Sequence, residues 1–246
     1  MSFPQLREIL QLPPSKQTWS QLTQLFDHWR GDDLELVVEC VAKHTRDWDP
    51  KIKYLCLRDN KIVPQWVHLV TNLEYHTKNK ELPNWLQNLT HLKHLDLRAC
   101  TSLKNIDGLK NLTNLTTLKL RWCNKLKNVD GLKNLTNLTN LYLSDCSSLE
   151  NVDGLQNLTN LIKLNLWSCY SLENANGLQN LTNLTYLDLW SCKSLKNNNG
   201  LQRLANLTYL DLWGCSSLEI QPRKPYMTTR AEVAEYQEML KKGTQQ

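Results

Sequence analysis

The cysteines are the side chains of this 246-residue chain whose type and spacing first suggest chemistry. Thiols form disulfides, bind metals or act as nucleophiles once deprotonated. Six of the eight cysteines recur at a constant step of 23 residues, and no CxxC pair is present. These six are Cys100, Cys123, Cys146, Cys169, Cys192 and Cys215. Such periodicity marks one position of a repeated unit, so it predicts a ladder of buried, reduced thiols.

The remaining reactive residues show no catalytic or metal-binding pattern. His76, His91 and His94 are close in sequence, but the further ligands of a usual zinc site are missing. The chain has no glycine-rich phosphate loop, no GxSxG elbow and no HExxH motif. The sequence therefore predicts a protein that is not an enzyme and that uses no metal ion or cofactor.

Aromatic and acidic residues share the 23-residue step. Nine tryptophans against two phenylalanines is an unusual ratio. The residues concerned are Tyr142, Trp167, Tyr186, Asp188, Trp190, Tyr209, Asp211 and Trp213. Large rigid rings are enriched in binding hot spots, and rings with carboxylates attract cations, so this set predicts a partner-binding site. Alternatively, the tryptophans only stack on one another along the sheet, at ~0.5–1.5 kcal/mol per pair.

A basic cluster precedes the aromatic set along the chain. It contains Arg98, Lys119 and Arg121, with His94 nearby. Arginine suits bidentate contacts with carboxylates or phosphates, so the cluster predicts a site for an acidic segment of a partner. The alternative is that Arg98 and Arg121 pair with Asp96 and keep the surface solvated.

A repeated structural unit must position these side chains. Its clearest copy is LTYLDLWSCKSLKNNNGLQRLAN at residues 184–206, and variants recur through residues 51–220. Alternating leucines, such as Leu187 and Leu189, predict a short strand with one side in the core. With the first leucine counted as one, positions three, five and seven line the opposite side. In a parallel sheet these positions form three columns, and we call the surface they make the concave face.

Two further features of the unit predict turns. The glycine of each NxxGL corner, such as Gly177, is expected to permit a tight reversal. Asparagines at positions fourteen and twenty-three, such as Asn197 and Asn206, are expected to point inward and bind backbone groups of the turns.

The pattern LxxLxL followed by Asn or Cys resembles that of leucine-rich repeats over residues 51–220. An early copy with Asn in place of Cys spans residues 52–62. The return segments GLKNLTN and GLQNLTN are similar to internalin-type repeats, whereas the cysteine resembles cysteine-containing repeats. The resemblance implies an α/β solenoid, a leucine-rich-repeat horseshoe whose concave side is a parallel sheet.

The flanks lack the repeat and are predicted to cap the solenoid. Residues 1–50 form an N-terminal helical cap: Thr18 with Gln21 resembles a capping box for one helix, and a second helix runs from Asp32 or Asp33 to about Thr45. Residues 221–246 form a C-terminal capping helix, opened by a capping box of Thr229 and Glu232, and a tail.

Composition and charge favour a cytoplasmic protein with a macromolecular partner. Net charge is +5 and the pI near 8.7, a weaker basic balance than dedicated nucleic-acid binders show. The first residues lack the pattern of a secretion signal, and no apolar run of about 18 residues could span a bilayer. We therefore expect a cytoplasmic location without membrane contact, and the oligomeric state is left open.

The function that these observations favour is non-catalytic recognition of a protein or extended peptide on the concave face. The partner's cationic or apolar stretch is expected on the aromatic and acidic half, and its acidic part on the basic half. Two alternatives use the same face. Single-stranded nucleic acid could stack on the tryptophans with phosphates on Arg98, Lys119 and Arg121, although Asp188 and Asp211 disfavour it. Carbohydrate could bind the aromatic row beside the carboxylates.

Overall fold

A computed structural model of the chain describes residues 3–26, 40–41 and 71–243. The predicted repeat at residues 52–62 lies outside the described residues. Of the predicted second helix, only Cys40 and Val41 are described, and both are helical.

One eight-stranded sheet organises the repeats. Its strands lie side by side in sequence order, the first seven parallel and the eighth antiparallel to the seventh. They are β1 (Asn72–Glu74), β2 (His94–Asp96), β3 (Thr117–Lys119), β4 (Asn140–Tyr142), β5 (Lys163–Asn165), β6 (Tyr186–Asp188), β7 (Tyr209–Asp211) and β8 (Tyr226–Met227). The predicted solenoid with a parallel sheet is confirmed.

Short 3₁₀ helices return the chain between the parallel strands. They span Asn84–Asn88, Asp107–Leu109, Asp130–Leu132, Asp153–Leu155, Asn176–Leu178 and Asn199–Arg203. A return this short lets each repeat stack directly on the next.

The core lies between the strands and the returns. Leu187 and Leu189 are fully buried, as the alternation predicts. The six periodic cysteines are buried and free of disulfides. Each thiol from Cys123 onward donates a hydrogen bond to a backbone carbonyl of the preceding repeat; Cys169 Sγ, for example, lies 3.2 Å from Leu143 O. The predicted buried thiol ladder is confirmed.

The corner glycines serve a different purpose from the predicted sharp reversal. Among the described glycines only Gly214 has a left-handed φ, of 76°. A Cβ on Gly177 would instead lie 2.2 Å from Val152 O, in the preceding repeat, and Gly131, Gly154 and Gly200 meet the same obstacle. Close approach between repeats, rather than backbone conformation, therefore requires glycine here.

The repeated asparagines bind backbone groups as predicted, but from the surface. Asn197 Oδ1 accepts a hydrogen bond from the Asn199 N–H at 2.9 Å, and Asn206 Nδ2 donates to Thr182 O at 2.9 Å. Asn206 is exposed, so the prediction that these side chains point inward is wrong for it. Equivalent bonds link neighbouring repeats at Asn114, Asn137, Asn160 and Asn183.

Within residues 3–26, two helices pack on each other: α1 (Phe3–Leu10) and α2 (Lys16–Phe26). The predicted cap at Thr18 is wrong, because α2 begins earlier, at Lys16. Ser15 Oγ accepts a hydrogen bond from the Thr18 N–H at 3.0 Å, while the Thr18 hydroxyl donates to Pro13 O at 2.9 Å. A serine immediately before the first helical residue is the stronger capping position.

Helix α3 (Arg230–Gly243) packs on the return segment of the last repeat. Its predicted capping box is confirmed, since Thr229 Oγ1 accepts from the Glu232 N–H and Glu232 Oε2 accepts from the Thr229 N–H. Buried Gln237 donates hydrogen bonds to Leu201 O at 2.8 Å and to Leu204 O at 3.1 Å. These bonds add to the backbone hydrogen bonds that the same two carbonyls accept from the Leu204 and Leu207 N–H groups, and they attach α3 to the end of the repeats.

Candidate partner-binding face

The register places the predicted site residues in columns. Tyr186 pairs with Tyr209 and Asp188 with Asp211 across β6 and β7, and the same alignment continues back to β1. Residues at positions three and five therefore neighbour their counterparts in adjacent repeats, and position seven follows each strand.

A left-handed residue follows position seven in each regular repeat. These residues are Ala99, Trp122, Asp145, Ser168, Ser191 and Gly214, with φ between 58° and 76°. Where position five is Asp or Asn, its side chain accepts a hydrogen bond within the turn: Asp188 Oδ1 accepts from the Trp190 N–H at 3.0 Å, and Asp211 Oδ1 from the Trp213 N–H at 2.9 Å. Both acids thus position the tryptophans, a structural role that the sequence did not predict.

One buried carboxylate pairs with two of the three cations of the basic half. Asp96 is only 4% exposed and accepts an ion pair from Arg98 Nε at 2.9 Å. Lys119 Nζ lies 3.6 Å from the other Asp96 oxygen, and Arg98 also approaches Glu74. The alternative interpretation, in which the cations pair with Asp96, therefore holds for Arg98 and extends to Lys119.

Arg121 differs from the other two cations. Its Nε donates to Ser144 Oγ at 2.8 Å, and its guanidinium carbon lies 6.0 Å from the centre of the Tyr142 ring. No carboxylate of the described residues lies within 4.0 Å of its nitrogens, so the predicted pairing of Arg121 with Asp96 is wrong. The terminal guanidinium nitrogens are the best-placed anion donors of the basic half.

The histidines of this half have opposite electrostatic environments. Hydrogen bonding to Glu74, 2.9 Å away, raises the pKa of His76. Burial, with Lys93 and Lys119 adding to it, lowers the pKa of His94. The described residues contain no group of three potential metal ligands from His, Cys, Asp or Glu. A depression of about 190 Å³ beside His94, Asp96 and Lys119 is smaller than the ~300–1,000 Å³ of usual small-molecule sites.

The aromatic half forms two ring systems. The Trp167 and Trp190 rings lie 5.4 Å apart at a 53° tilt, and Trp213, 60% exposed, ends their column. Tyr186 and Tyr209 stack in parallel with centroids 4.1 Å apart. Two of the three tryptophans are therefore in contact with each other, as the stacking alternative describes, whereas Trp213 is largely exposed to solvent.

Burial changes the titration of the two acids. It raises the pKa of Asp188; the Trp190 N–H opposes this rise and the Asp211 charge adds to it. Burial likewise raises the pKa of Asp211, against the effect of the Trp213 N–H. Asp188 uses its second oxygen as well, accepting from Asn165 Nδ2 at 2.9 Å. None of the described residues donates to the second oxygen of Asp211.

Three residues of this face were missed by sequence reasoning. Lys163 places its ammonium 4.5 Å from the Tyr186 ring centre and 5.6 Å from that of Tyr142, a contact that the column order could have indicated. Tyr226, on the antiparallel β8, packs edge-on against Tyr209 at 5.6 Å. It lies beyond the repeats, so no periodicity indicated it. Trp122 is 47% exposed at the left-handed position, where the other repeats carry smaller residues.

None of the helices in the described ranges has both the length and the apolar character that crossing a membrane requires.

Solved structures share the architecture. An internalin, InlF of Listeria monocytogenes, is 25% identical, with a TM-score of 0.55 over 74% of this chain. The chain spans about half of that internalin, covering 53% of its length. The leucine-rich repeat domain of the type III effector XopL is 20% identical, with a TM-score of 0.51 over 89% of this chain and 90% of its own.

Sequence comparison identifies the repeat type. No curated protein sequence matches the chain. The profile of the BspA-type leucine-rich repeat region matches residues 74–197 in six copies. That match covers half of the chain and runs from the last residue of β1 through β6, with the 3₁₀ returns between these strands. The chain belongs to the BspA-type leucine-rich repeat family.

Proposed function

We propose that the concave face recognises a protein or an extended peptide without catalysing a reaction on it. Leucine-rich repeats commonly mediate protein–protein interaction. The observation that carries the proposal for this chain is the tryptophan column, which ends in Trp213, a residue that is 60% exposed. A large aromatic side chain held in water by a rigid strand is a typical binding anchor.

The charge distribution supports a partner with two chemically different parts. Arg121 keeps its terminal nitrogens available at the basic half, and Asp211 keeps one oxygen available at the aromatic half. An acidic group of the partner would contact Arg121. A cationic or apolar group would lie against Trp190 and Trp213, since ring faces and a carboxylate favour cations together.

Nucleic acid is a weaker candidate for this face. A phosphate-binding surface needs a row of available cations, but Arg98 and Lys119 are both paired with Asp96. Strong nucleic-acid binding whose affinity falls steeply with salt would nevertheless replace the protein-partner proposal. Carbohydrate binding remains the other alternative, and binding on a glycan array would support it.

We also propose a reducing compartment, the cytoplasm, for this chain. The support is the thiol ladder, in which buried and unpaired cysteines donate hydrogen bonds that a disulfide would remove. Cell fractionation tests it, and recovery of the protein only outside the cytosol would contradict it.

The test of the recognition proposal is affinity capture from native cytosol. The intact protein is compared with the double variant Trp190→Ala/Trp213→Ala. Tyr170→Ala is the matched control, because Tyr170 is a 42% exposed aromatic residue outside the three columns. We expect partners that the intact protein and the control retain and the double variant loses. Identical capture by all three proteins would place the site elsewhere.

A further inference from the structure

We propose that the concave face selects an extended segment carrying a carboxylate and a cationic side chain about five residues apart, the carboxylate on Arg121 and the cation on Asp211. This inference rests on the proposed function and adds the partner's chemistry and spacing to it.

The first anchor follows from ion pairing in the basic half. Asp96 pairs with both Arg98 and Lys119, whereas Arg121 donates its Nε to Ser144, lies near the Tyr142 ring and has no carboxylate of the described residues within 4.0 Å of its nitrogens. An incoming carboxylate gains little from cations that are already paired, because it competes with a buried anion. At Arg121 it meets two unused nitrogens in the fork geometry that carboxylates match.

The second anchor follows from hydrogen bonding in the acidic half. Asp188 engages both oxygens, with the Trp190 N–H and Asn165 Nδ2. Asp211 engages one oxygen, with the Trp213 N–H, and no described residue donates to the other. Asp211 is 8% exposed, so the group that reaches it must be a long side chain, such as that of arginine or lysine.

The path between the anchors follows the tryptophan column. Side chains of the protein itself already contact the tyrosine column, since the Lys163 ammonium lies over the Tyr186 ring and Tyr209 stacks on the same ring. Trp167 and Trp190 therefore provide the available aromatic floor, which suits apolar residues between the two charged ones.

The spacing of the strands sets the distance between the two anchors, Arg121 and Asp211. Arg121 follows β3 and Asp211 lies on β7, four strands along the order, or about 19 Å at ~4.8 Å per strand. The Arg121 side chain leans one strand towards Tyr142 and Ser144, which shortens the span to about 14–19 Å. An extended chain advances about 3.3 Å per residue, so the two charged residues lie about five positions apart.

The experiment uses the full chain and synthetic, fluorescently labelled peptides. Each peptide carries one glutamate and one arginine, placed two to nine positions apart in both orders, on a leucine- and serine-containing background. Binding is measured by fluorescence polarisation. We expect the tightest binding near a spacing of five, about tenfold tighter than at the extremes, as expected for the loss of one charge-assisted contact.

Paired variants assign each anchor. Arg121→Gln should remove the preference for glutamate, whereas Arg98→Gln, at an arginine paired with Asp96, should not. Asp211→Asn should remove the preference for arginine while keeping the turn, because Asn165 already caps the Trp167 N–H in the same way. Asp188→Asn is its control.

The outcomes separate this inference from the proposed function. Peptide binding that ignores spacing, or that Arg98→Gln weakens as much as Arg121→Gln, overturns the inference. Failure of every peptide to bind also overturns it. None of these outcomes decides the proposed function. That function is tested separately, by whether the Trp190→Ala/Trp213→Ala variant loses the native partners.

Discussion

At the scale of single residues, positions with the same sequence role differ in what surrounds them. Arg98 and Arg121 share a column, yet Asp96 pairs with only the first. Asp188 and Asp211 share another, yet only the first has both oxygens engaged. The column order could be predicted from the repeat, because register fixes it. The hydrogen-bond or ion-pair partner of each side chain could not be predicted, because it depends on side-chain rotamers and on neighbours in two adjacent repeats.

The corner glycines give a residue-scale prediction of stability. Gly177→Ala should lower the free energy of unfolding by about 3 kcal/mol, because the new methyl group would lie 2.2 Å from Val152 O and neither backbone can move away alone. Chemical denaturation measures the loss. The control is Gly108→Ala at the equivalent corner, where the nearest atom is a side-chain carbon of Leu82 at 3.2 Å. Equal losses in both variants would contradict this account of the corner.

The buried acids give a prediction of pH dependence. Burial raises the pKa of Asp188 and Asp211 above the ordinary 3.8, so both carboxylates gain protons at a higher pH than exposed ones. Affinity for a cationic partner should therefore fall as pH drops towards these raised values. The folded state binds these protons more readily than the unfolded state, so the same two groups do not destabilise the fold in that range.

Titration of binding and of thermal stability in parallel checks this prediction. Asp211→Asn should reduce the pH dependence of binding. Affinity that is constant down to pH values near 4, or that falls only where the protein unfolds, would contradict a role for the acids in holding a cation.

At the scale of elements, periodic segments were predictable and their ends were not. Strand positions follow from leucine spacing, since a shift of one residue would expose the core. The start of α2 was misassigned because Ser15 and Thr18 are both good caps, and only the three-dimensional path selects Ser15. Strand β8 was not predicted, because its two residues pair with β7 without any repeat signal.

Helix α3 gives the element-scale prediction. Gln237→Ala should lower the free energy of unfolding by about 2 kcal/mol, because Leu201 O and Leu204 O each lose a buried side-chain hydrogen bond and keep only a backbone N–H donor. Thermal or chemical denaturation measures the effect. Glu238→Ala, at the exposed neighbouring position on the same helix, should leave stability unchanged. A neutral Gln237→Ala variant would show that α3 does not cap the repeats through these bonds.

At the scale of the whole molecule, stacking repeats separates stability from recognition. Leucines, cysteines and corner glycines build one core, and each repeat contacts chiefly its neighbours. The opposite side of the strands is then free to vary from repeat to repeat, which is how this chain carries a basic and an aromatic half on one sheet. The fold could therefore be predicted from the repeat itself, whereas the partner depends on a few side chains of the concave face.

The most direct test of the central claim is the affinity of a captured native partner for the double variant Trp190→Ala/Trp213→Ala, measured by calorimetry beside its thermal stability. We predict that Kd rises at least about 100-fold, as the loss of two hot-spot tryptophans implies, while the melting temperature changes little. The Trp167–Trp190 contact is worth only ~0.5–1.5 kcal/mol to the fold. An unchanged Kd for a folded double variant would contradict the claim that this face binds the partner.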